Sequence, residues 1–460
     1  MMNYLKEDTI TALSTAAGRS AIAVIRLSGQ EAFQVISKIF QTKSKPEQQV
    51  KHGYIVDGAE KKDEVLCAFF TAPHTYTGEN LVEISVHGNT LIINEILNLL
   101  YKNGARPAEP GEFTYRAFLN GKKDLAKAEA VCSLITSKTT TSAKAALNNV
   151  SGIFSQKIKN IRDSVTNLIA FMEANLDHPE ENIMFLSRDE KLLRLDSYIE
   201  SIQNLLNSYR ASKILQNGIK VAIIGKPNAG KSSLLNAILG KNRAIVTDIA
   251  GTTTDAIEET IDCHGIPLTI MDTAGLRDHA GNSIEFLGQE KTKEIIASAD
   301  MLIWMFDTSS QLDQNDAQIA DFLKKSNLNT PVIGVLNKSD LPLNSSCDID
   351  SILQSNFSTV IKISAKTETG ISKLLDEIAK IAGVSDYSSD YVMINSRHFI
   401  LLQNALDTLI RTKQVLTAKD ADEIACFEAV SAQAALNEIL GINVKQDILD
   451  TIFSTFCIGK

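Results

Sequence analysis

Hydrophobic residues fall into three textures along the chain. In the first part, short apolar runs alternate with polar positions. Ile22-Ala23-Val24-Ile25-Arg26-Leu27, Val65 to Phe70 and Leu81-Val82-Glu83-Ile84-Ser85-Val86 predict strands, and Ala32 to Phe40 and Thr90 to Tyr101 predict helices. Pro107, Pro110 and Gly111 mark a loop. From Lys123 to about Leu215, glycine nearly disappears and apolar residues recur at three and four, as in Ile161, Val165, Leu168, Ile169 and Met172, then Leu192, Leu195, Ile199, Ile202, Leu205 and Leu206. That spacing predicts helices, broken at Asp177-His178-Pro179-Glu180-Glu181. The middle holds compact apolar runs, Val221 to Ile224, Ile266 to Met271, Val332 to Leu336 and Val360 to Ile363, each followed by a polar loop. Ser396 to Phe456 is helical again, with Phe399, Leu402, Leu406, Leu409 and Ile410 on one stripe. The pattern divides the chain into an α+β domain at 1–121, helices at 122–216, an α/β domain at 217–380 and helices at 381–460. Helices on both flanks suggest an α/β domain inserted into one helical domain, although two separate bundles would give the same pattern.

Candidate chemistry sits at the ends of the central strands. Gly225-Lys226-Pro227-Asn228-Ala229-Gly230-Lys231-Ser232-Ser233 lies between a strand and the helical run Leu234, Leu235, Ile238, Leu239. Its glycines let backbone N–H groups wrap a phosphate chain; Lys231 supplies charge for the β- and γ-phosphates and Ser232 a hydroxyl for Mg²⁺. Asp272-Thr273-Ala274-Gly275 ends a strand, where an Asp can hold Mg²⁺ through water and a Gly can approach the γ-phosphate. In Asn337-Lys338-Ser339-Asp340, the Asp can accept from guanine N1–H and the exocyclic amine, a donor pair that adenine lacks. Ser364-Ala365-Lys366 fits the loop that closes over the base. The loop Asp248-Ile249-Ala250-Gly251-Thr252-Thr253-Thr254-Asp255 offers threonines to Mg²⁺. A lone Gly-Lys-Ser can be a helix start with no ligand; these motifs in this order predict a Ras-like GTP-binding domain. Leu276 stands where a water-orienting Gln is expected, so hydrolysis is slow or another group acts, with Asp278, Glu285 and Glu290 as candidates.

Length and charge bound the rest. At 460 residues the chain exceeds one ordinary domain, and a net charge of −9 argues against a generally basic nucleic-acid coat. Six cysteines show no C-x-x-C pair, which points to a reducing cytoplasm rather than a disulfide or zinc framework. No apolar run approaches the ~20 residues of a membrane span, so a soluble protein without membrane contact is expected. A local basic excess, Arg116, Lys122, Lys123, Lys127, Lys138, Lys144, Lys157, Lys159 and Arg162, suits phosphates or a solvated helix face equally. Tyr76, His87, Tyr115 and Trp304 are expected to be packing residues. The apolar segment Ile452 to Phe456 offers a way to dock the last four residues, Cys457-Ile458-Gly459-Lys460.

These motifs, the flanking helices and the terminal Cys-Ile-Gly-Lys together resemble the tRNA-modification GTPase family MnmE, also called TrmE. The resemblance runs end to end and includes Gly18-Arg19, Ile25-Arg26-Leu27-Ser28-Gly29, Tyr76-Thr77-Gly78-Glu79, His87-Gly88-Asn89, Pro110-Gly111-Glu112-Phe113-Thr114 and Asp124-Leu125-Ala126-Lys127-Ala128-Glu129-Ala130. It implies an N-terminal folate-binding and dimerisation domain, an all-α central domain and an inserted G domain. It also implies a homodimer that works with the FAD-binding protein MnmG, in a heterotetramer or larger complex. The pair would place an aminomethyl or carboxymethylaminomethyl group on C5 of the wobble uridine of certain tRNAs, using 5-formyl- or 5,10-methylene-tetrahydrofolate. By motif match, Asn228, Thr247, Ile249 and Thr252 would hold K⁺, Ser232 and Thr253 Mg²⁺, and Glu285 would orient the attacking water. Arg26, Glu83, Lys122 and Lys460 would bind folate, with Lys123 the alternative to Lys122, and Cys457 is the candidate catalytic thiol. Thr254, Ala17 and Ser20 depart from the family pattern. The rival expectation is a regulatory GTPase that binds RNA or ribosomal particles as a switch and does no chemistry on a base.

Overall fold

In the computed structural model, which describes residues 8–45, 48–177, 186–241, 258–272, 290–325, 330–342, 357–383, 391–418 and 422–460, the N-terminal runs form a seven-stranded sheet. Its strands are β1 (Thr9–Leu13), β2 (Ser20–Ser28), β3 (Phe40–Thr42), β4 (Val50–Asp57), β5 (Glu60–Phe70), β6 (Leu81–Gly88) and β7 (Ala105–Pro107). They are ordered β3-β4-β5-β6-β2-β1-β7, and only the β1–β7 pair is parallel. Alternation decides the faces. Ala23, Ile25 and Leu27 share one face with Val82, Ile84 and Val86 and are buried with residues of α1 (Ala32–Ser37) and α2 (Thr90–Lys102). A third helix, α3 (Glu112–Leu119), packs Phe113 against Ile10 and Ala12 of β1. The sequence reading found β2, β5, β6, α1 and α2 but missed β1, β3, β4 and α3. The sequence reading also missed β7, which ends at Pro107; the loop expected at Pro107, Pro110 and Gly111 follows it and closes at the left-handed Gly111 (φ 69°) that opens α3.

The helical texture becomes α4 (Leu125–Thr136), α5 (Thr140–Ser151), α6 (Ile153–Asp177), α7 (Arg188–Asn207) and α8 (Tyr209–Asn217). The expected break coincides with the end of α6, and residues 178–185 lie outside the described residues. The central runs form β8 (Ile219–Gly225), β9 (Glu258–Cys263), β10 (Ile266–Asp272), β11 (Met301–Asp307), β12 (Val332–Asn337) and β13 (Thr359–Lys362). The order β13-β12-β11-β8-β10-β9 is parallel except at β9, and both faces are apolar, as a sheet flanked by helices requires. Its helices are α9 (Lys231–Lys241), α10 (Glu290–Ser298), α11 (Gln314–Lys325) and α12 (Ile371–Ile381). The chain closes with α13 (Ser396–Ala418), α14 (Asp422–Leu440) and α15 (Gln446–Ser454).

Two compact units emerge, and the chain passes between them more than once. One comprises residues 1–132, 149–203 and 400–460, the other 133–148 and 204–399. The first joins the N-terminal sheet to α6 and to α14, the second carries the six-stranded sheet. The second unit takes in more than the α/β segment: Thr139, just before α5, donates its Oγ1–H to the Gly265 carbonyl in the β9–β10 turn at 2.7 Å. Among the described residues no helix is long and apolar enough to cross a membrane.

Candidate functional site

In the second unit, the loop between β8 and α9 is held from both sides. Gly225 has φ +150°, and a Cβ there would lie 2.6 Å from the Met305 carbonyl. Gly230 has φ +98°, and a Cβ there would lie 2.2 Å from Asn337 Nδ2. Both positions therefore require glycine. Asn228 adopts a left-handed φ of 63°, and its side chain is exposed. Lys231 is buried; its Nζ donates to the carbonyls of Gly225 (2.7 Å) and Lys226 (3.0 Å), so the ammonium rests on the loop it would serve. Ser232 and Ser233 are exposed in the first turn of α9, where helix N–H groups favour anions. Ala229, within the loop, is fully buried.

Asn337 has a role that its motif alone did not reveal. Its Nδ2 donates to the Ala229 carbonyl at 2.8 Å, and its Oδ1 accepts from the Ala365 N–H at 3.0 Å. One buried amide thus joins three loops read separately in the sequence. Lys338, at φ 65°, donates to Asp307 Oδ2 at 2.6 Å. Burial pushes Asp307 up, but Lys338 and Ser309 outweigh it and hold the carboxyl below its usual range. Asp340 is exposed and accepts from Ser364 Oγ at 2.7 Å; that bond keeps it ionised below the usual carboxylate range, an acceptor-only group beside the loop. Ser339 and Lys366 are exposed and Ser364 is buried. Asp272 closes β10 as the register partner of Ile223. Thr247, Asp248, Ile249, Ala250, Gly251, Thr252, Thr253, Thr273, Ala274, Gly275 and Glu285 lie outside the described residues.

The first unit brings the C-terminal tail to the N-terminal sheet. Arg26 of β2 faces Glu83 of β6 in register, and its Nε and Nη2 donate to Glu83 Oε1 at 3.1 and 2.7 Å. The guanidinium lies 5.2 Å from the Tyr76 ring centroid and 5.6 Å from that of Phe113. Its Nη1 is buried without a hydrogen-bond partner. Such an orphan is rare in native proteins and needs an explanation. Lys123 reaches the same Tyr76 ring, its Nζ 5.3 Å from the centroid, whereas Lys122 is exposed with its stem beside Gly78. Of the two alternatives, Lys123 is the one gathered with Arg26. Burial, then the neighbouring Lys127, lower its pKa.

The C-terminal tail docks beside this cluster. Phe453 and Phe456 pack with Tyr115, Leu125 and Leu449, and Gly111 N–H donates to the Cys457 carbonyl at 3.4 Å. Ser14 Oγ donates to the Gly459 carbonyl at 3.0 Å, and Gly459, at φ +91°, lies against Leu13 and Ser14. Ala12, immediately before them in β1, is the register partner of Arg26. Cys457 is exposed and Lys460 partly buried. Cys132, on α4, packs against the same aromatic cluster; burial, then Cys457 and Glu129, raise its pKa.

Some sequence expectations need correction. Trp304 and Tyr115 are packing residues, but His87 is not: its side chain is 65% exposed, and its Nδ1 lies 2.6 Å from the nearly buried Asp63. Arg116 leaves the basic band as well. It is buried between Asp8, Glu79 and Glu112, so it offers no surface charge. Among the described residues no group of three or more His, Cys, Asp or Glu side chains could hold a metal ion.

A family model described as MnmE helical domain matches residues 125–457, and one described as GTP-binding protein TrmE N-terminus matches residues 9–122. Over 460 residues, 100% of each chain, the sequence is 76% identical to the tRNA modification GTPase MnmE of Endomicrobium trichonymphae. It is 40% identical over 456 residues to that of Aquifex aeolicus (strain VF5), covering 98% of this chain and 100% of the relative. It is 41% identical over 466 residues to that of Natranaerobius thermophilus, covering 99% and 100%.

Proposed function

This chain belongs to the MnmE family of tRNA-modification GTPases, and from that premise we propose how its two sites divide the work. The second unit is the timing element. GTP would sit with its phosphates on Asn228–Ser233 and its base against Asp340, between the Asn337 and Ser364 loops. Mg²⁺ would be held by Ser232 and Thr253, and K⁺ by Asn228, Thr247, Ile249 and Thr252. These cations neutralise charge that grows between the β- and γ-phosphates. Glu285 would orient the attacking water that Leu276 cannot.

The first unit is where the nucleotide-independent chemistry belongs. The observation that carries this reading is the orphaned Arg26 Nη1, a buried donor next to a partly exposed carboxylate and two aromatic rings. A planar ligand with both acceptors and donors, such as the pterin of a tetrahydrofolate, satisfies that set. Arg26, Glu83, Lys123 and Lys460 would hold it; bound folate would supply one carbon. The chain would act as a cytoplasmic homodimer with the FAD-binding MnmG, modifying C5 of the wobble uridine at tRNA position 34. Cys457, carried on the docked tail, would serve that step.

The test is wobble-uridine modification with MnmG and folate, repeated with Arg26→Ala and Cys457→Ser. Arg26→Ala is expected to lose folate binding and modification while still hydrolysing GTP. Full modification by both variants would reject the assignment of chemistry to the first unit. No modification by the wild-type chain would favour a regulatory switch.

A further inference from the structure

The second residue of the phosphate loop, Lys226, is more deeply engaged than its place in the motif requires. It is 8% exposed, and its Nζ donates to the Gln311 carbonyl at 3.0 Å, Asp316 Oδ2 at 3.0 Å and Asp313 Oδ2 at 3.3 Å. An ammonium has three donors, and all three are spent on the segment that leads into α11 and on its first turn. Asp316 is fully buried, and its Oδ1 has no hydrogen-bond partner, so Lys226 is the cation that compensates it. Asp313 in turn accepts from the backbone N–H groups of Asn315 (2.8 Å) and Asp316 (3.4 Å), which fixes the start of α11. Burial opposes the charge on Lys226, but the two carboxylates outweigh it and raise its pKa.

The backbone of the same residue faces the nucleotide side. The Lys226 carbonyl accepts from Lys231 Nζ, and the preceding Gly225 is pressed against Met305 of β11. Side chain and main chain of Lys226 are therefore fixed by different partners, one outside the loop and one within it.

We propose that Lys226 is a positioning residue: anchored by Asp313 and Asp316, it holds the entrance of the Gly225–Ser232 loop in the shape that receives phosphates. The inference rests on the assignment of that loop to the nucleotide. Nucleotide affinity then depends on a side chain that never touches the nucleotide. The ten residues from Asp307 to Asp316 serve both halves of the pocket, because Asp307 holds Lys338 at the base loop while Asp313 and Asp316 hold Lys226 at the phosphate loop.

Removing only the lysine would strand Asp316 as a buried, uncompensated charge and endanger folding. The informative variants are Lys226→Arg and the charge-balanced pair Lys226→Gln with Asp316→Asn, measured in the full-length chain. Binding of a fluorescent GDP and steady-state GTP hydrolysis are the readouts. The double variant is expected to raise the GDP Kd and the GTP KM by about tenfold, the loss of one or two charge-assisted hydrogen bonds, with a smaller change in kcat. Lys226→Arg is expected to restore most of the affinity, because it keeps the charge. Wild-type affinity in a folded double variant would overturn the proposal. Should the double variant not fold, Asp313→Asn, at the partly exposed end of the cluster, is expected to weaken GDP binding severalfold; unchanged binding there would overturn it equally. Lys231→Ala is the control for the premise: if it retains GDP binding, the loop itself is misassigned, whatever Lys226 does.

Discussion

Gly459→Ala separates the two units most sharply. At φ +91° an L side chain is strained by roughly 1 kcal/mol or more, and the new Cβ would lie 2.1 Å from the Leu13 carbonyl oxygen and 2.9 Å from Ser14 Cα. Those are backbone atoms at and just after the end of β1, so the tail has to move. Movement breaks the hydrogen bond from Ser14 Oγ, worth about 1 kcal/mol. Together, about 2 kcal/mol shifts the balance between docked and undocked tail roughly thirtyfold toward undocked. Phe453 and Phe456 stay in their cluster, so the global melting temperature should fall little. Hydrolysis of GTP should be unchanged, because no residue of the tail lies in the second unit. Wobble-uridine modification with MnmG, assayed beside GTP turnover and melting temperature, should fall at least tenfold. Full modification would refute the idea that the docked tail carries a needed group, and a parallel loss of GTPase activity would refute the division of labour.

Four further outcomes are expected. Asn337→Ala leaves the Ala229 carbonyl and the Ala365 N–H without their partner, so calorimetric titration should show GDP binding about thirtyfold weaker, from about 2 kcal/mol of lost hydrogen bonding. Asp340→Asn replaces an acceptor-only carboxylate by an amide that can donate, so xanthosine diphosphate should displace GDP in competition; retained guanine preference would count against Asp340 as the base reader. Glu285→Ala should keep GTP binding but lose most potassium-stimulated hydrolysis, and undiminished turnover would sink that assignment. Hydrogen bonding to Asp63 raises the His87 pKa above its ordinary 6.5, so its stabilisation is complete below pH 6.5 and fades as pH rises through the elevated folded value. His87→Gln should flatten the melting-temperature profile above pH 6.5, and an unchanged slope would refute the coupling.

What was legible in the sequence was local. The loop at Gly225–Ser232 spans a few residues between one strand and one helix, and its shape follows from glycine dihedrals and spacing; Asp340 and Ser364 read likewise from the strands before them. Strands with strict alternation, such as β2 and β6, declared their buried faces. By contrast, β4 carries Lys51, His52 and Gly53 among its apolar residues, and β1 is only five residues long, so neither stood out until a neighbouring strand paired with it.

Tertiary structure decided the rest, because contacts between residues far apart in the chain depend on packing rather than on spacing. Asn337 reaches Ala229 across 108 positions, Lys226 reaches Asp316 across 90, and Ser14 reaches Gly459 across 445. That the Lys123 ammonium, and not the exposed Lys122, lies over the Tyr76 ring is likewise a contact across the fold that spacing does not give. The sequence determined a guanine-nucleotide domain and a conspicuous terminal cysteine. Only the fold showed that the C-terminal tail meets β1, where a glycine without a side chain lets it lie against Leu13, next to the residue paired with Arg26.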